Sequence, residues 1–527
     1  MCDMDASGTG PGSESNRTDV AAGIDRRGFL GGVGGAAALG TLALMSAKRA
    51  AAAEAEPVAA GEDFPRGKPL RIKPILMYQC PQPADRASWR SYGGIDTEQA
   101  AAAEAVRITN ELETLRKEAE FPIELQPLEK ANSVQRIQAL AATDTDLFLL
   151  YAAGGGTDWP LALTGIETPM IMFVRHQSGP FYLWYEIAHW RFLRQNGDQF
   201  ALSKFDVDDV VVDRYDELQW RLRSLYGLKN ACGTKMLTIG GLAAYSGPAQ
   251  EHGPRVAKEV WGYSFADVTD EQFAERLAAA RDDAVVVAEA DRRTEALLKS
   301  PNVKLATERR FVFNSYLALH VVRKLLEETG ASNFGFARCM GHAQIAMLDT
   351  PPCLVLSLAN DLGYTAYCHT DLSHTMPGVL LRWIASRPTF VCNSHYPHDG
   401  LFTVAHCAAP RRMNGREDEP ATLMTHFESD YGAACKTHYR KGQQVTVVVP
   451  NLRCTKWQGF RGTIVDSPSL PACRSQMEIR VDGDWRRLLR EMEGFHVQVV
   501  YGDYMREIGY GLKKLGGQIE WECYSTC

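Results

Sequence analysis

Three side chains that can bind a metal or move a proton lie close together in the segment AYCHTDLSHTM, residues 366–376. They are His369, Asp371 and His374. Imidazole nitrogens and carboxylate oxygens are ligands for divalent transition metals, and histidine is also a general base near neutral pH. Because an apolar run precedes the segment and another follows it, a polar turn between two core elements is the alternative interpretation.

Histidines are concentrated in this part of the chain. Eight of the 13 lie from His342 to His438, and His496 begins a later apolar segment. His369 follows the apolar run YTAYC and Asn393 follows PTFVC, so both are predicted at the ends of successive strands. Ligands of open α/β sheets bind at such strand ends. The positions therefore indicate either a metal site or polar loop groups that form hydrogen bonds there.

The elements that would position these residues belong to the α/β class. From Pro69 onward, strand-like and helix-like segments alternate, which predicts doubly wound parallel sheets in residues 68–205 and 206–395. Residues 396–527 differ, because QQVTVVVP, FRGTIVDSP, QMEIRVD and FHVQVVYGD are short strand-like segments separated by turn residues. They predict a β-rich C-terminal domain. His374 is expected at the start of the next helix, which contains MPGVLLRWIAS.

The composition argues against some classes of partner. The chain has 527 residues, 45% hydrophobic and 23% charged, as in globular proteins that bury large cores. Its formal net charge is −7 and it has no block of lysine and arginine, so neither nucleic acid nor an anionic membrane surface is expected as a partner. The 13 cysteines are irregularly spaced without a CxxC pair and mostly suggest small buried side chains.

Residues 1–60 are interpreted as a disordered start followed by a bacterial export signal. Arg26 and Arg27 precede a Gly/Ala/Leu-rich apolar stretch, which is the layout of a twin-arginine signal. The stretch is too short and too rich in glycine for an integral membrane span, and cleavage is expected between Ala51 and Ala55. This predicts a periplasmic or secreted protein. A chance Arg-Arg pair in a disordered tail is the alternative.

One family shares several of these features. The segments CMGHAQIAMLDTPPCLVLSLANDLGYTAYCHTDLSHTM, RPTFVCNSHYPHDGLFTVAHCAAP and EGFHVQVVYGD resemble the L-fucose isomerase and L-arabinose isomerase superfamily. The resemblance implies two flavodoxin-like α/β domains followed by a β-rich C-terminal domain. It also implies a homo-oligomer, a trimer or hexamer, with sites near subunit interfaces. The implied cofactor is a divalent metal, typically manganese, that assists aldose–ketose isomerisation through an enediol.

Family positions transfer to this sequence one by one. The glutamate of the family's CExD element falls on His369, and the carboxylate after the next strand falls on Asn393, or on Cys392 if the register shifts by one residue. The family's HC element matches His406 in VAHCAAP, and its C-terminal histidine ligand matches His496 in EGFHVQVV. The resemblance therefore implies a metal set of His369, Asn393, His406 and His496.

Two residues of the segment 366–376, His369 and Asp371, are predicted to be catalytic. His369 could itself act as the base that an isomerase needs. Asp371 lies two residues further on, so on an extended segment it would point to the same side as His369 and supply a carboxylate. The enzyme class implied by the resemblance is an intramolecular oxidoreductase that converts aldoses and ketoses.

The changed carboxylate positions leave the reaction open. Neutral nitrogen ligands move metal preference away from manganese toward zinc, nickel or copper. The expected function is a sugar-active protein that uses a divalent metal, with manganese, zinc and nickel as the candidates. Two alternatives stay open: a different metal-assisted sugar reaction, such as hydrolysis, elimination or epimerisation, and a non-catalytic sugar-binding protein on the same scaffold.

Overall fold

The computed structural model describes residues 64–90, 93–156, 158–182, 193, 205–338 and 341–525. The predicted export signal in residues 1–60 lies outside these residues. No helix in the described ranges is long and apolar enough to cross a membrane.

A parallel sheet forms the first part of the fold. Its strand β1 pairs with two short strands on one side and with a long apolar strand on the other, and two further strands continue the sheet outward. The strand LFLLYA is buried along its whole length, as is typical of parallel strands covered on both faces. The elements are β1 (Leu70–Met77), α1 (Glu98–Glu118), β2 (Ile123–Leu125), β3 (Glu129–Ala131), α2 (Val134–Leu140), β4 (Leu147–Ala152), α3 (Asp158–Thr164), β5 (Met170–Val174) and β6 (Val210–Val212).

A second parallel sheet and its helices follow. Its four strands are all parallel and are hydrogen-bonded in the order Thr365–Cys368, Asn333–Phe336, Lys235–Ile239 and Ser264–Val268. The elements are α4 (Tyr215–Ala231), β7 (Lys235–Ile239), α5 (Gly247–Glu259), β8 (Ser264–Val268), α6 (Asp270–Asp282), α7 (Ala284–Lys299), β9 (Val303–Ala306), α8 (Arg309–Thr329), β10 (Asn333–Phe336), α9 (His342–Leu348), α10 (Cys353–Asp361), β11 (Thr365–Cys368) and α11 (Leu372–Ala385). The predicted α/β class is confirmed for both regions.

The C-terminal part contains a closed antiparallel β-barrel. Its strands run in the order β16-β19-β12-β13-β18-β17, and pairing of β16 with β17 closes the ring. Strand β20 adds to β17 in parallel, while β9, β14 and β15 form a small separate sheet. The elements are β12 (Phe390–Ser394), β13 (Leu401–His406), β14 (Ala421–Met424), β15 (Ala434–Thr437), β16 (Gln444–Pro450), β17 (Lys456–Asp466), β18 (Ser475–Asp482), α12 (Trp485–Glu491), β19 (His496–Tyr501), α13 (Met505–Lys514) and β20 (Glu520–Cys523).

The strand that carries Asn393 differs from the prediction. The sequence pattern places it beside the strand before His369 in a parallel sheet, whereas β12 pairs antiparallel with β13 and β19 of the barrel. The reason is the turn at Asp399 and Gly400, whose φ angles are 50° and 79°. Two central residues with positive φ form the two-residue hairpin turn that Asp-Gly favours, and this turn joins β12 to β13.

Helix α11 joins the second α/β region to the barrel. Its residues Leu372, Met376 and Val379 pack in one core with Val448 and Val500 from the barrel strands β16 and β19. Apart from Trp383, every residue of the helix is buried. Because its first turn is held between the two regions, this turn is a rigid position for polar side chains.

Candidate functional site

Asp371, His374 and His496 meet at the junction between α11 and the barrel. One ligand atom from each of the three side chains lies within 4.8 Å of the others. All three residues are buried, and the rings of His374 and His496 have centroids 5.2 Å apart at 74°. Among the histidine, cysteine, aspartate and glutamate residues that the structure describes, these three form the group with metal-ligand spacing.

Asp371 is fixed as the N-cap of α11. One carboxylate oxygen accepts a hydrogen bond from the main-chain N–H of Ser373 at 2.8 Å, and the other accepts from the N–H of Tyr245 at 3.1 Å. Both bonds fix the orientation of the carboxylate. Carboxylate oxygens have further lone pairs, so Asp371 can cap the helix and still offer a ligand atom.

His374 lies in the first turn of α11, as predicted, and its side chain faces the barrel. The main-chain carbonyl of His374 accepts a hydrogen bond from the side-chain amide of Gln498 at 2.8 Å. Gln498 and His496 are two residues apart on β19 and therefore lie on the same face of that strand. The bond thus holds the helix turn against the strand that carries His496.

The two ring systems are unprotonated in the neutral pH range. Burial lowers the pKa of His496 to about 2, and the nearby imidazoles act in the same direction. Burial also lowers the pKa of His374, although the adjacent Asp371 carboxylate opposes this shift. Neutral imidazole is the form that binds a metal, so the site needs no proton release before it binds a cation.

Three ring nitrogens in this cluster form no hydrogen bond of normal geometry with the described residues. These nitrogens are Nδ1 and Nε2 of His374 and Nδ1 of His496. The main-chain carbonyl of Cys368 lies near the His374 ring. A buried polar group without a partner costs about 1–3 kcal/mol. Two imidazoles and one carboxylate form a common transition-metal donor set that leaves positions for water or substrate. The residues present therefore fit a divalent metal.

His369 lies at the carboxyl end of β11, as predicted from the strand pattern. Its φ is +61°, in the left-handed region, and its Nδ1 lies 3.3 Å from the carbonyl oxygen of Ala337. Gly335 makes this backbone path possible, because a Cβ there would lie 2.5 Å from the His369 carbonyl oxygen. The left-handed residue also means that the segment is not extended. The prediction that strand alternation puts Asp371 on the same side as His369 is wrong for this reason.

Asn393 and His406 approach the cluster from β12 and β13. Asn393 is directly opposite His496 in the ladder between β12 and β19, and its buried Oδ1 has no hydrogen-bond partner among the described residues. Ala405 is opposite Asn393, and His406 is the next and last residue of β13, near the imidazoles of His374 and His369. The Nδ1 of His406 accepts from the N–H of Ala408 at 3.1 Å.

The predicted metal set and the observed cluster overlap in one residue. His496 belongs to both, Asp371 was predicted as catalytic, and His374 was expected only at a helix start. The signal that indicates the cluster is the spacing D-x-x-H at an N-cap, since the N-cap residue and the third helical residue lie on the same side of the first turn.

Tyr245 is a further residue of the site that the sequence analysis does not identify. It lies in the loop after β7, and the residue is 63% exposed. The ring contacts those of Phe495 and His496 edge-on, with centroids 4.8 and 5.4 Å away. Tyr245 therefore covers the cluster on its solvent side and faces anything that approaches it.

Comparisons of the chain with protein-family models and with curated proteins found no match.

Proposed function

We propose that this chain is a metal-dependent, sugar-active protein in which Asp371, His374 and His496 bind one divalent cation. The observation that carries the proposal is the buried cluster itself, with three ring nitrogens that have no hydrogen bond of normal geometry in the described part of the chain. Buried polar atoms in folded proteins usually have a partner, and these ring nitrogens are available to bind a cation. The donor set is compatible with zinc, nickel or manganese.

The arrangement of the sheets supports the sugar isomerase scaffold. In the first sheet, β2 and β3 occupy one edge, and β1, β4, β5 and β6 follow. If the two edge segments are counted as one strand, the order is 2-1-3-4-5, which is the flavodoxin-like order. A second parallel sheet and a C-terminal barrel follow along the chain. This order of regions supports the scaffold that the resemblance implies, and we propose an oligomer of three or six subunits on that basis.

The proposed reaction class is exchange between an aldose and a ketose. Such a reaction takes one proton from the carbon beside the carbonyl, adds one to the former carbonyl carbon and moves a hydroxyl proton between the two oxygens. A divalent metal, when bound, polarises the substrate oxygens. His369 is our candidate for the residue that moves the carbon-bound proton, because it is half-buried beside the cluster and carries an imidazole. Tyr245 and Phe495 offer aromatic faces for the sugar ring.

Metal analysis tests the site directly. The chain is purified without a histidine tag, and its metal content is measured by mass spectrometry of the digested protein. We expect near-stoichiometric transition metal in the wild type and a loss of at least tenfold in His374→Ala and His496→Ala. His395→Ala is the matched control, since His395 is an exposed histidine close to the barrel end. Metal-free wild type that also fails to bind added zinc, nickel or manganese would contradict the proposal.

A second candidate, a sugar-binding protein without turnover, is favoured by one observation. His369 and Asn393 stand where the resembled family has its two carboxylates. The two functions differ in products, so pentoses and 6-deoxyhexoses are incubated with metal-loaded protein and the ketoses are separated by chromatography. Turnover that His369→Ala abolishes supports the enzyme. Calorimetric sugar binding without any product supports the binding protein.

A further inference from the structure

Two cysteines lie side by side at one end of the barrel, outside the metal cluster. Cys407 directly follows β13, and Cys473 lies two residues before β18. The last pair in the antiparallel ladder between these strands is His406 with Ser475. The next residue, Cys407, therefore comes opposite Arg474, which is the chain neighbour of Cys473.

The spacing of the two backbones suits a disulfide. Antiparallel partners lie about 5 Å apart and consecutive Cα atoms about 3.8 Å, so the two cysteine Cα atoms are on the order of 6 Å apart. Disulfides are formed between cysteines whose Cα atoms are separated by about 4.4–6.8 Å. Both residues are reduced thiols in the structure.

Contacts of the two sulfur atoms also favour a disulfide between Cys407 and Cys473. Cys407 is only 2% exposed and packs with Ala434 and Phe427, while Cys473 lies against it and is partly exposed. The main-chain N–H of Arg474 donates to the Cys407 sulfur at 3.4 Å, and the thiol of Cys473 also donates to this sulfur. The two sulfur atoms are therefore already in contact, as formation of a bond between them requires.

Two other buried thiols of the barrel region are held in the protonated form by their burial. Burial raises the pKa of Cys392 well above its ordinary value, and burial raises the pKa of Cys435 to about 11. Buried thiols in apolar surroundings are inert. Cys392 is therefore a suitable internal reference for the reactivity of Cys407.

We propose that Cys407 and Cys473 are a redox pair that a peroxide converts reversibly into a disulfide. The Cys407 thiolate attacks one oxygen of hydrogen peroxide, so that an S–O bond forms, the O–O bond breaks and hydroxide leaves. The sulfur of Cys473 then attacks the oxidised Cys407 sulfur, an S–S bond forms and the oxygen leaves as water with the Cys473 proton. Two thiols and one peroxide thus give one disulfide and two waters, and a dithiol reverses the reaction.

The disulfide would connect two strand ends near the proposed metal site. His406 immediately precedes Cys407, so oxidation ties the end of β13 to the segment before β18. The redox pair does not depend on the proposed function, because its formation is read from the covalent mass and not from metal content or turnover.

Peptide mapping of the full chain tests the pair. Purified wild type is treated with a small excess of hydrogen peroxide, alkylated and digested with trypsin without reduction. We expect a peptide pair joined through Cys407 and Cys473, two hydrogens lighter than its separate parts, that disappears after dithiothreitol. In Cys473→Ser the link must be absent, and the sulfenic acid on Cys407 should be trapped by dimedone.

Cys392→Ala is the matched control, since no trypsin site separates Cys392 from Cys407. The link must persist in this variant. The proposal is overturned if peroxide leaves both thiols unmodified while exposed methionines are oxidised, or if Cys407 links to Cys353 or Cys392 instead. Since the central measurement uses the wild-type chain, a variant that fails to fold does not affect the result.

Discussion

At the level of single residues, Asp371 has two roles that substitution can separate. It caps α11 through the N–H of Ser373, and it offers an oxygen to the metal cluster. Asparagine caps a helix as well as aspartate does but carries no charge. Alanine can neither cap the helix nor offer a ligand oxygen. Two variants at one position therefore distinguish a structural role from ligand binding.

Asp371→Asn should keep most of the stability of the metal-free protein and lose at least tenfold in metal affinity. Asp371→Ala should lose metal affinity as well and, in addition, about 1 kcal/mol of the free energy of unfolding. Denaturant unfolding in EDTA measures the stability of the metal-free protein, and metal titration measures the affinity for the metal. Wild-type metal affinity in Asp371→Asn would show that the carboxylate is only a cap.

His406 provides a pH-dependent test of burial. Burial lowers its pKa to about 3, and the nearby imidazoles add to the effect. The unfolded chain takes up a proton at this residue near pH 6.5, whereas the folded chain does so only near pH 3. The free energy of unfolding is therefore highest at neutral pH and decreases as the pH falls from 6.5 toward 3. At pH 5 the loss that His406 causes is about 2 kcal/mol.

His406→Asn should reduce this acid sensitivity, because asparagine can accept from Ala408 but does not titrate. The measurement is the free energy of unfolding in EDTA at pH 7 and pH 5, with the exposed His342→Asn as control. The difference between the two pH values should be about 2 kcal/mol smaller in His406→Asn than in wild type. An unchanged difference would contradict the assignment.

At the level of elements, the Asp399–Gly400 turn decides where Asn393 lies. Its two positive φ angles join β12 and β13 into a hairpin, with His395 donating to the Thr403 carbonyl at 2.8 Å. The apolar runs predict the strands themselves correctly, but a short apolar run does not distinguish parallel from antiparallel pairing. The Asp-Gly pair was the available signal for the hairpin.

Gly400→Ala should destabilise the protein by about 1–2 kcal/mol, because alanine is strained at a φ of +79°. A Cβ at this position meets nothing closer than the Trp485 ring at 3.9 Å, so backbone strain is the whole expected cost. Gly247→Ala is the control, since that glycine begins α5 and has open space around it. Thermal unfolding of the three proteins measures the effect, and equal melting temperatures would contradict it.

At the level of the whole molecule, the cluster joins two regions that the sequence pattern identifies separately. The alternation of strands and helices predicts the α/β class because period and length are local properties. Closure of the barrel depends on the pairing of β16 with β17, and the cluster depends on α11 meeting β19. Such contacts between distant segments leave no local periodicity, which is why His374 was expected only at a helix start.

A metal held across this junction should stabilise it. At a free metal concentration 100 times the dissociation constant, binding adds about 2.7 kcal/mol to the free energy of unfolding. EDTA should therefore lower the melting temperature and increase hydrogen exchange at the start of α11 and of β19. Asp371→Asn should show little response to EDTA, and a wild type that also shows none would contradict a structural effect of the metal.

Two stacked tryptophans at the same junction allow its integrity to be followed by spectroscopy. Trp261, which follows α5, and Trp457 on β17 are fully buried and stack with ring centroids 5.5 Å apart at 11°. Indole transitions at this distance and angle couple, so the pair should give a split signal in circular dichroism that isolated tryptophans lack. Because one ring belongs to the α/β region and the other to the barrel, separation of the two regions would extinguish the signal while both remained folded.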